Sequence, residues 1–192
     1  MTPNPPALPD RIQTARLELR APEISDASAM YASYTQDAEV ARYMVWRPHA
    51  SEDATRDFVA ACVAHWHTGS ARPYVITLKT SGELVGMLEA RTKGHIVNIG
   101  YVLAREHWGR GLMPEAVRAL TAEALGLPEI FRVEATCDVD NLASARVLEK
   151  SGFLLEGRLA RFTVHPNIDV EPRDCLISVS YTHLTLPTIL LV

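Results

Sequence analysis

The segment His107–Ala116, His-Trp-Gly-Arg-Gly-Leu-Met-Pro-Glu-Ala, joins an apolar, strand-like run at 99–103 to a helical pattern. Gly109 and Gly111 permit positive φ angles and leave open space against bare backbone. The first N–H groups of a helix have no intrahelical partner and carry partial positive charge, to which Arg110 adds a full charge. The sequence therefore predicts a strand–turn–helix unit whose loop can bind a phosphate group.

Taken alone, the two glycines indicate only a tight turn between a strand and a helix. Two other phosphate motifs are excluded, because the Gly-Lys-Ser/Thr of a P-loop and the third glycine of a dinucleotide-binding motif are both missing. A second segment follows at 141–153 and reads Asn-Leu-Ala-Ser-Ala-Arg-Val-Leu-Glu-Lys-Ser-Gly-Phe. It predicts a helix capped by Asp140 or Asn141 and ended by Gly152.

The order and spacing of these two segments resemble the GCN5-related N-acetyltransferase (GNAT) superfamily, in its branch of ribosomal-protein N-terminal acetyltransferases. That branch typically carries Trp-Gly-Lys/Arg-Gly-Tyr-Ala-x-Glu-Ala and then Asn-x-x-Ser-x-x-x-x-Glu-Lys-x-Gly-Phe. The resemblance extends from about Thr14 to Ile177. It implies an α+β fold with a central mixed, mostly antiparallel twisted sheet of six to seven strands, a V-shaped splay and about four flanking helices. It also implies acetyl-coenzyme A as cosubstrate and no metal.

The resemblance assigns cofactor binding to three places. The pyrophosphate cradle is implied at Gly109, Arg110, Gly111, Leu112 and Met113. The pantetheine arm is implied along Tyr101, Val102 and Leu103, with a hydrogen bond from Asn141. In this branch the serine matching Ser144 is placed to hydrogen-bond the coenzyme sulfur or to protonate the leaving thiolate.

The residues themselves leave simpler roles open for the second segment. Asn141 is also a normal helix cap, and Ser144 can be a capping-turn serine that faces solvent. Many superfamily members use a tyrosine four residues further on as the acid, but that position is Leu148. Ser144 is therefore the best remaining proton donor.

The general base is less clear, because Asn98 stands where this branch often has a glutamate. Glu89 and Glu134 on neighbouring strands and His107 beside the cradle are candidates, although each can equally be a solvated or ion-paired side chain. A lysine amine is about 2.5 pKa units harder to deprotonate than an α-amine, or roughly 3.4 kcal/mol. A site with no clear carboxylate base therefore favours an α-amine or another weakly basic amine.

The family implies that residues of the early helices, Tyr31, Tyr43 and Trp46, wall the acceptor pocket, whereas the spacing of Met44 predicts a core residue. The resulting prediction is an N-acetyltransferase that moves acetyl from acetyl-coenzyme A to a primary amine, either a protein N-terminus or a small molecule. Attack is direct, in a ternary complex. The alternative from another class is a module that senses acyl-coenzyme A without catalysis.

The net charge of −4 and the lack of a long apolar run predict no nucleic-acid or membrane partner. The three cysteines, Cys62, Cys137 and Cys175, form no metal pattern or disulfide framework, which favours a cytoplasmic location. A monomer and a homodimer are both compatible with the sequence.

We predict a flexible leader at 1–12, one acetyltransferase domain at 13–180 and an atypical tail at 181–192. The tail resembles translated sequencing-adapter read-through; the alternative is a final strand interrupted at Pro187. Within the domain, helices are predicted from Ser25, from Ser51 to about Gly69, and over 114–125 and 141–151. Strands are predicted at 14–20, 74–78, 84–90, 96–103, 131–137, 153–164 and 173–179.

Overall fold

The computed structural model describes residues 7–181, and within them eight strands form a single sheet. The strands are β1 (Arg11–Gln13), β2 (Leu17–Arg20), β3 (Arg72–Leu78), β4 (Leu84–Lys93), β5 (Ile96–Leu103), β6 (Arg132–Asp138), β7 (Leu154–Val164) and β8 (Pro172–Tyr181). Their order is β1-β2-β3-β4-β5-β6-β8-β7. Only β5 and β6 pair in parallel, which confirms the mixed, mostly antiparallel sheet.

The sheet begins earlier than expected, within the range assigned to the leader. Leu8 and Ile12 are only 5% and 3% exposed and belong to the core, so β1 adds a strand to the six or seven predicted. Their apolar side chains are buried because they pack beside β2. Residues 1–6 and 182–192, which include most of the predicted tail, lie outside the described residues; Tyr181 is the last residue of β8.

Within residues 7–181 five α-helices accompany the sheet: α1 (Asp26–Met30), α2 (Ala38–Ala41), α3 (Glu52–Thr68), α4 (Leu112–Leu125) and α5 (Leu142–Lys150). A π-helical turn, Tyr31–Thr35, extends α1. The predicted ends of α3 are confirmed, since Ser51 Oγ accepts a hydrogen bond from the Ala54 N–H and Gly69 ends the helix at φ 71°. No helix within 7–181 is long and apolar enough to cross a membrane.

Buried side chains form two clusters on the two faces of the sheet, and β4 contributes to both because its side chains alternate. Leu88 of β4 packs in the cluster that contains Val117 and Leu120 of α4. Met87 packs in the cluster that contains Met30 of α1 and Val59 of α3. The sheet is therefore covered by helices on both faces. Helices α1 and α3 lie on the face opposite to α4.

The parallel strands β5 and β6 separate soon after they begin. Their pairing comprises Ile96 with Arg132, Val97 with Val133 and Asn98 with Glu134, and then stops. Both strands continue, β5 by five residues to Leu103 and β6 by four to Asp138. Helix α4 makes the crossover between them, as predicted, and the divergence forms the expected splay in the sheet.

Candidate active site

A cleft of about 450 Å³ opens where β5 and β6 diverge. From the sheet it is lined by Met87, Glu89, Arg91, Asn98, Ile99, Gly100, Tyr101, Val102, Thr136 and Cys137. From the helices and loops it is lined by Tyr34, Tyr43, Met44, Trp46, His49, Phe58, His65, Asn141, Ser144 and His165, among others, and Thr163 of β7 also borders it. Strand β5 thus borders the cleft and then leads directly into the glycine loop.

The glycine loop has the backbone conformation that the sequence predicts. Gly109 and Gly111 have φ values of 74° and 72°, in the left-handed region that favours glycine. Gly111 precedes α4, and no side chain caps the first turn of this helix. Leu112 and Met113 are 5% and 3% exposed and pack into the core, so their side chains do not cover the main chain of the first helical turn. This arrangement can accept an anion at the helix N-terminus.

An ion-paired cluster at the start of α4 holds the glycine loop against the first hairpin. Glu115 accepts hydrogen bonds from Thr14 Oγ1 at 2.6 Å and from the main-chain N and Nε of Arg16 at 2.9 and 2.6 Å. Arg16 Nη1 also donates to the Arg110 carbonyl at 3.0 Å. Burial raises the pKa of Glu115, but the hydrogen bonds from Thr14 and Arg16 outweigh it and lower the pKa overall. Sequence reasoning missed this role because about a hundred residues separate the partners.

We expect Arg16→Ala to raise the KM for acetyl-coenzyme A about tenfold with little change in kcat, since loss of a charged hydrogen bond of about 1.5 kcal/mol would loosen the loop. Arg16→Lys should recover part of this affinity. Steady-state kinetics against acetyl-coenzyme A measure both variants. Arg11→Ala, which removes the neighbouring hairpin ion pair with Glu18, is the control. An unchanged KM for acetyl-coenzyme A in Arg16→Ala would show that the ion pair of Arg16 with Glu115 does not position the glycine loop.

Ser144 lies in the cleft and its hydroxyl is paired. Ser144 Oγ is 2.8 Å from Tyr101 Oη, and the Tyr101 hydroxyl also donates to the Ser144 carbonyl at 3.2 Å. Burial raises the pKa of Tyr101 strongly, with the Ser144 hydrogen bond acting in the opposite direction, so the phenol stays protonated at neutral pH. The family resemblance implied for Tyr101 only a place along the pantetheine arm. A tyrosine hydroxyl therefore reaches this site from β5, while Leu148 is a core residue at 1% exposed.

The other predicted cofactor residues fall in two groups. Tyr101, Val102 and Asn141 line the cleft. The Asn141 side chain also caps α5, because its Oδ1 accepts a hydrogen bond from the Ser144 main-chain N–H at 3.1 Å. This is the helix cap that the residues alone predicted. Leu103 does not line the cleft. Its carbonyl accepts a hydrogen bond from the Trp108 indole at 2.8 Å, which ties the end of β5 to the glycine loop.

Of the three candidate bases, the structure brings only Glu89 to the cleft. Glu89 of β4 pairs with Gly100 on the adjacent strand β5. Its carboxylate forms an ion pair with Arg91 at 2.8 Å. Glu134 is instead held by Arg132 at 2.8 Å and does not line the cleft. His107 is 6% exposed, with Nε2 3.0 Å from Glu83 Oε1, and lines a different cavity.

Of the three residues predicted to wall the acceptor pocket, Tyr43 and Trp46 line the cleft, but Tyr31 does not. The π-helical turn after Met30 changes the helical phase and places Tyr34 there instead. The Tyr34 hydroxyl is buried and has no hydrogen-bond partner within residues 7–181. Among those same residues, Nδ1 of His165, which also lines the cleft, has none. Two polar atoms of residues that line the cleft are thus buried without a hydrogen-bond partner in the described part of the chain.

Long-range hydrogen bonds hold the loop that carries Tyr43 and Trp46. Asn167 Nδ2 donates to the carbonyl of Ala41 at 2.6 Å and to that of Trp46 at 2.8 Å. Tyr43 Oη donates to the Asp140 carbonyl at 3.3 Å and so bridges from this loop to the one that precedes α5. The two sides of the cleft are therefore connected, which is consistent with a defined acceptor site.

A buried carboxylate fixes the loop that precedes α5. Asp138, 1% exposed, accepts hydrogen bonds from Arg173 Nε at 2.6 Å, from Arg173 Nη2 at 3.1 Å and from the Asp140 N–H at 2.9 Å. Burial raises the pKa of Asp138, but the hydrogen bonds and charge of Arg173 outweigh it, so the pKa is lowered. Asn141 follows this anchored turn, which sets the position of α5.

The chain belongs to a known family: residues 16–154 match the model of the acetyltransferase (GNAT) domain. Together the fold, the glycine loop and this match define the protein as an N-acetyltransferase of the GNAT family. The expected superfamily is thereby confirmed.

Individual relatives agree with this assignment. An uncharacterized N-acetyltransferase, p20, of Bacillus licheniformis is 31% identical over 155 residues, 78% of this chain and 85% of the relative. The ribosomal-protein-serine acetyltransferase of Escherichia coli is 32% identical over 112 residues, 57% of this chain and 62% of the relative. The crystal structure of RimL, a ribosomal L7/L12 alpha-N-protein acetyltransferase in complex with coenzyme A, superposes with a TM-score of 0.78 at 25% identity, covering 89% of this chain and 97% of RimL.

Proposed function

We propose that the protein transfers acetyl from acetyl-coenzyme A to a primary amine by direct attack in a ternary complex. The observation that carries the proposal is the hydroxyl pair of Ser144 and Tyr101, which lies in the cleft where the strands diverge. The same strand, β5, continues to a loop of main-chain donors suited to a pyrophosphate. A pantetheine arm laid along β5 would lead from that loop to the hydroxyl pair.

In the proposed reaction the neutral amine attacks the thioester carbonyl, the C–N bond forms and the C–S bond breaks. Ser144 donates its proton to the leaving thiolate and regains one from the proton that the nitrogen loses as the amide forms. The Tyr101 hydroxyl, which stays protonated, holds Ser144 in position through their hydrogen bond. Cys137 also lines the cleft, but burial raises the pKa of its thiol to about 11, with a hydrogen bond from Ser144 acting in the opposite direction. A protonated thiol is a poor nucleophile, which favours direct attack over an acetyl-enzyme.

We propose that the acceptor is an α-amine, on a protein N-terminus or on a small polar molecule. The Glu89 carboxylate can attract an ammonium group into the cleft. An α-amine is already about a tenth neutral at pH 7, whereas a lysine amine is not. RimL, whose structure resembles this one, is an alpha-N-protein acetyltransferase.

We expect Ser144→Ala to lower kcat about 100-fold while the affinity for coenzyme A changes less than twofold, because a general acid contributes about 10²–10⁴-fold to rate. Tyr101→Phe should lower kcat in the same direction but by less, since Ser144 remains. Single-turnover thiol release and calorimetric titration of coenzyme A measure the two effects. Ser151→Ala, at the end of α5 and away from the cleft, is the control. Equal turnover in Ser144→Ala and the native protein would exclude Ser144 as the acid.

A sensor that binds acyl-coenzyme A without catalysis keeps one supporting observation, the amide of Asn98 in the cleft where a carboxylate base was expected. A thiol-release assay over a panel of peptides and small amines separates the two functions. Turnover on any acceptor excludes the sensor, whereas coenzyme binding without release on every acceptor supports it. We also propose a cytoplasmic location, because Cys62, Cys137 and Cys175 are free thiols. A monomer or homodimer stays a prediction.

A further inference from the structure

We propose that His49 is the general base that takes the proton from the acceptor ammonium. His49 lines the acceptor side of the cleft and was not among the bases that the sequence suggested. The inference rests on the proposed acetyl transfer to an amine and supplies the step for which that mechanism lacked a residue.

Hydrogen bonds hold the His49 ring in one orientation. Nδ1 is 2.8 Å from Thr55 Oγ1, which in turn is 2.9 Å from Thr35 Oγ1. Both threonines are buried, Thr55 at 0% and Thr35 at 1% exposed. The main-chain N–H of His49 also donates to the Thr35 carbonyl at 2.8 Å. When Nδ1 donates to Thr55 and Thr55 donates to Thr35, the lone pair of the imidazole lies on Nε2. No residue in the described part of the chain forms a hydrogen bond with Nε2, so it remains free to accept a proton from a ligand.

Two aromatic side chains pack near the His49 ring. Trp46 lies with its ring centroid 5.4 Å away, and Phe58 meets the imidazole edge-on at 5.6 Å. Burial among them lowers the pKa of His49 below its usual value, so the ring is neutral at neutral pH. Trp46 is also part of the acceptor wall, which places the imidazole beside the proposed path of the amine.

Glu89 and His49 can then have different roles in the reaction. The Glu89 carboxylate is held in an ion pair by Arg91, whereas Nε2 of His49 has no hydrogen-bond partner within residues 7–181 and is open to a ligand. Glu89 would attract the ammonium electrostatically, while His49 removes its proton. The protons balance: R–NH₃⁺ gives its first proton to Nε2, and the imidazolium releases that proton to solvent. The neutral amine displaces the thiolate, Ser144 protonates the thiolate, and the second proton lost by the nitrogen as the amide forms restores the Ser144 hydroxyl.

The test compares two acceptors that differ in basicity and little in shape. One is a peptide that begins with alanine, and the other begins with difluoroalanine, whose α-amine is largely neutral at pH 7. We expect His49→Gln to lower kcat/KM at least tenfold with the alanine peptide and less than threefold with the fluorinated one. A side chain that only supports the pocket would lower both rates equally, and that result would overturn the proposal.

Three further variants make the result independent of folding defects. Thr55→Val removes the hydrogen bond that orients the ring, keeps the bulk of the side chain and should show the same selectivity for the basic acceptor. His67→Gln, on the exposed face of α3, should change neither rate. Imidazole added to His49→Ala should restore turnover of the alanine peptide. Absence of any rescue, together with no acceptor selectivity in Thr55→Val, would overturn the proposal even if His49→Gln is poorly folded.

The outcomes also separate this inference from the proposed function. If the native protein acetylates these peptides and His49→Gln does so equally well, only the role of His49 is lost. If the native protein binds acetyl-coenzyme A but releases no thiol with these peptides or with any amine of the panel, the proposed function fails and the base with it.

Discussion

A Gly86→Ala variant is expected to lose about 2–3 kcal/mol of unfolding free energy, because overpacking a well-packed sheet costs about 1–3 kcal/mol. A Cβ atom at this position would lie 2.4 Å from the Val102 carbonyl oxygen and 3.2 Å from the Leu103 Cα. Both contacts are to main chain of β5, which cannot rotate away as a side chain would. Strands β4 and β5 would have to separate where β5 borders the cleft, so affinity for acetyl-coenzyme A should also fall.

Urea unfolding and titration with coenzyme A measure the two effects of this substitution. Gly100→Ala is a matched control for stability, because Gly100 lies on the neighbouring strand and a Cβ there would meet no atom within 4 Å. We expect its unfolding free energy to stay within about 0.5 kcal/mol of the native value. Equal stability of the two variants would show that β4 and β5 can separate at Gly86 without penalty.

An Asp138→Ala variant is expected to lose about 2–3 kcal/mol of unfolding free energy, since removing one partner of a buried ion pair leaves polar groups unpaired. Arg173 would lose two hydrogen bonds, and the Asp140 N–H would lose its acceptor. The turn before α5 would loosen, so turnover should fall as Asn141 and Ser144 lose their fixed positions. Thermal unfolding and thiol release measure the two losses. Glu52→Ala, which removes an exposed pair with Arg56, is the control and should have little effect.

The same carboxylate predicts a pH dependence of stability. The pKa of Asp138 is lower in the folded protein than its usual 3.8, so the ionised form stabilises the fold at pH values above that. This stabilisation is lost as the pH falls below about 3.9 and through the lowered pKa of the folded state. Urea unfolding between pH 6 and 3 should therefore show a shallower loss of stability in Asp138→Asn than in the native protein. Parallel pH curves would contradict this assignment.

Features that depend on neighbouring residues were predictable from the sequence. Gly109 and Gly111 adopt the positive φ values expected of them, Asn141 caps α5, and α4 crosses between two parallel strands. Local sterics and capping chemistry decide these features, and both can be read over a few residues. Resemblance to the GNAT superfamily, which the same two segments carry, was confirmed by the family match over residues 16–154.

Features that depend on packing were not predictable in this way. Because of the π-helical turn, Tyr34 lines the cleft and the predicted Tyr31 does not. Because of the strand register, the Glu134 carboxylate forms an ion pair with Arg132 and does not line the cleft. His107 is adjacent in sequence to the glycine loop, yet its imidazole points to Glu83. A shift of one residue in a helix or strand changes the direction of a side chain, and only tertiary contacts determine that shift.

The sequence by itself determined the conformation of the glycine loop and the cap of α5, because both depend on short-range backbone chemistry. Its resemblance to the GNAT superfamily implied the class of fold and the serine proposed as the acid. The tertiary structure alone decided which side chains share the cleft. Tyr101 meets Ser144 across 43 residues, Arg16 meets Glu115 across 99, and His49 is oriented by buried threonines on two different helical segments. Contacts between such distant residues form only when both faces of the sheet are packed, since the chain between them carries no local signal for the pairing.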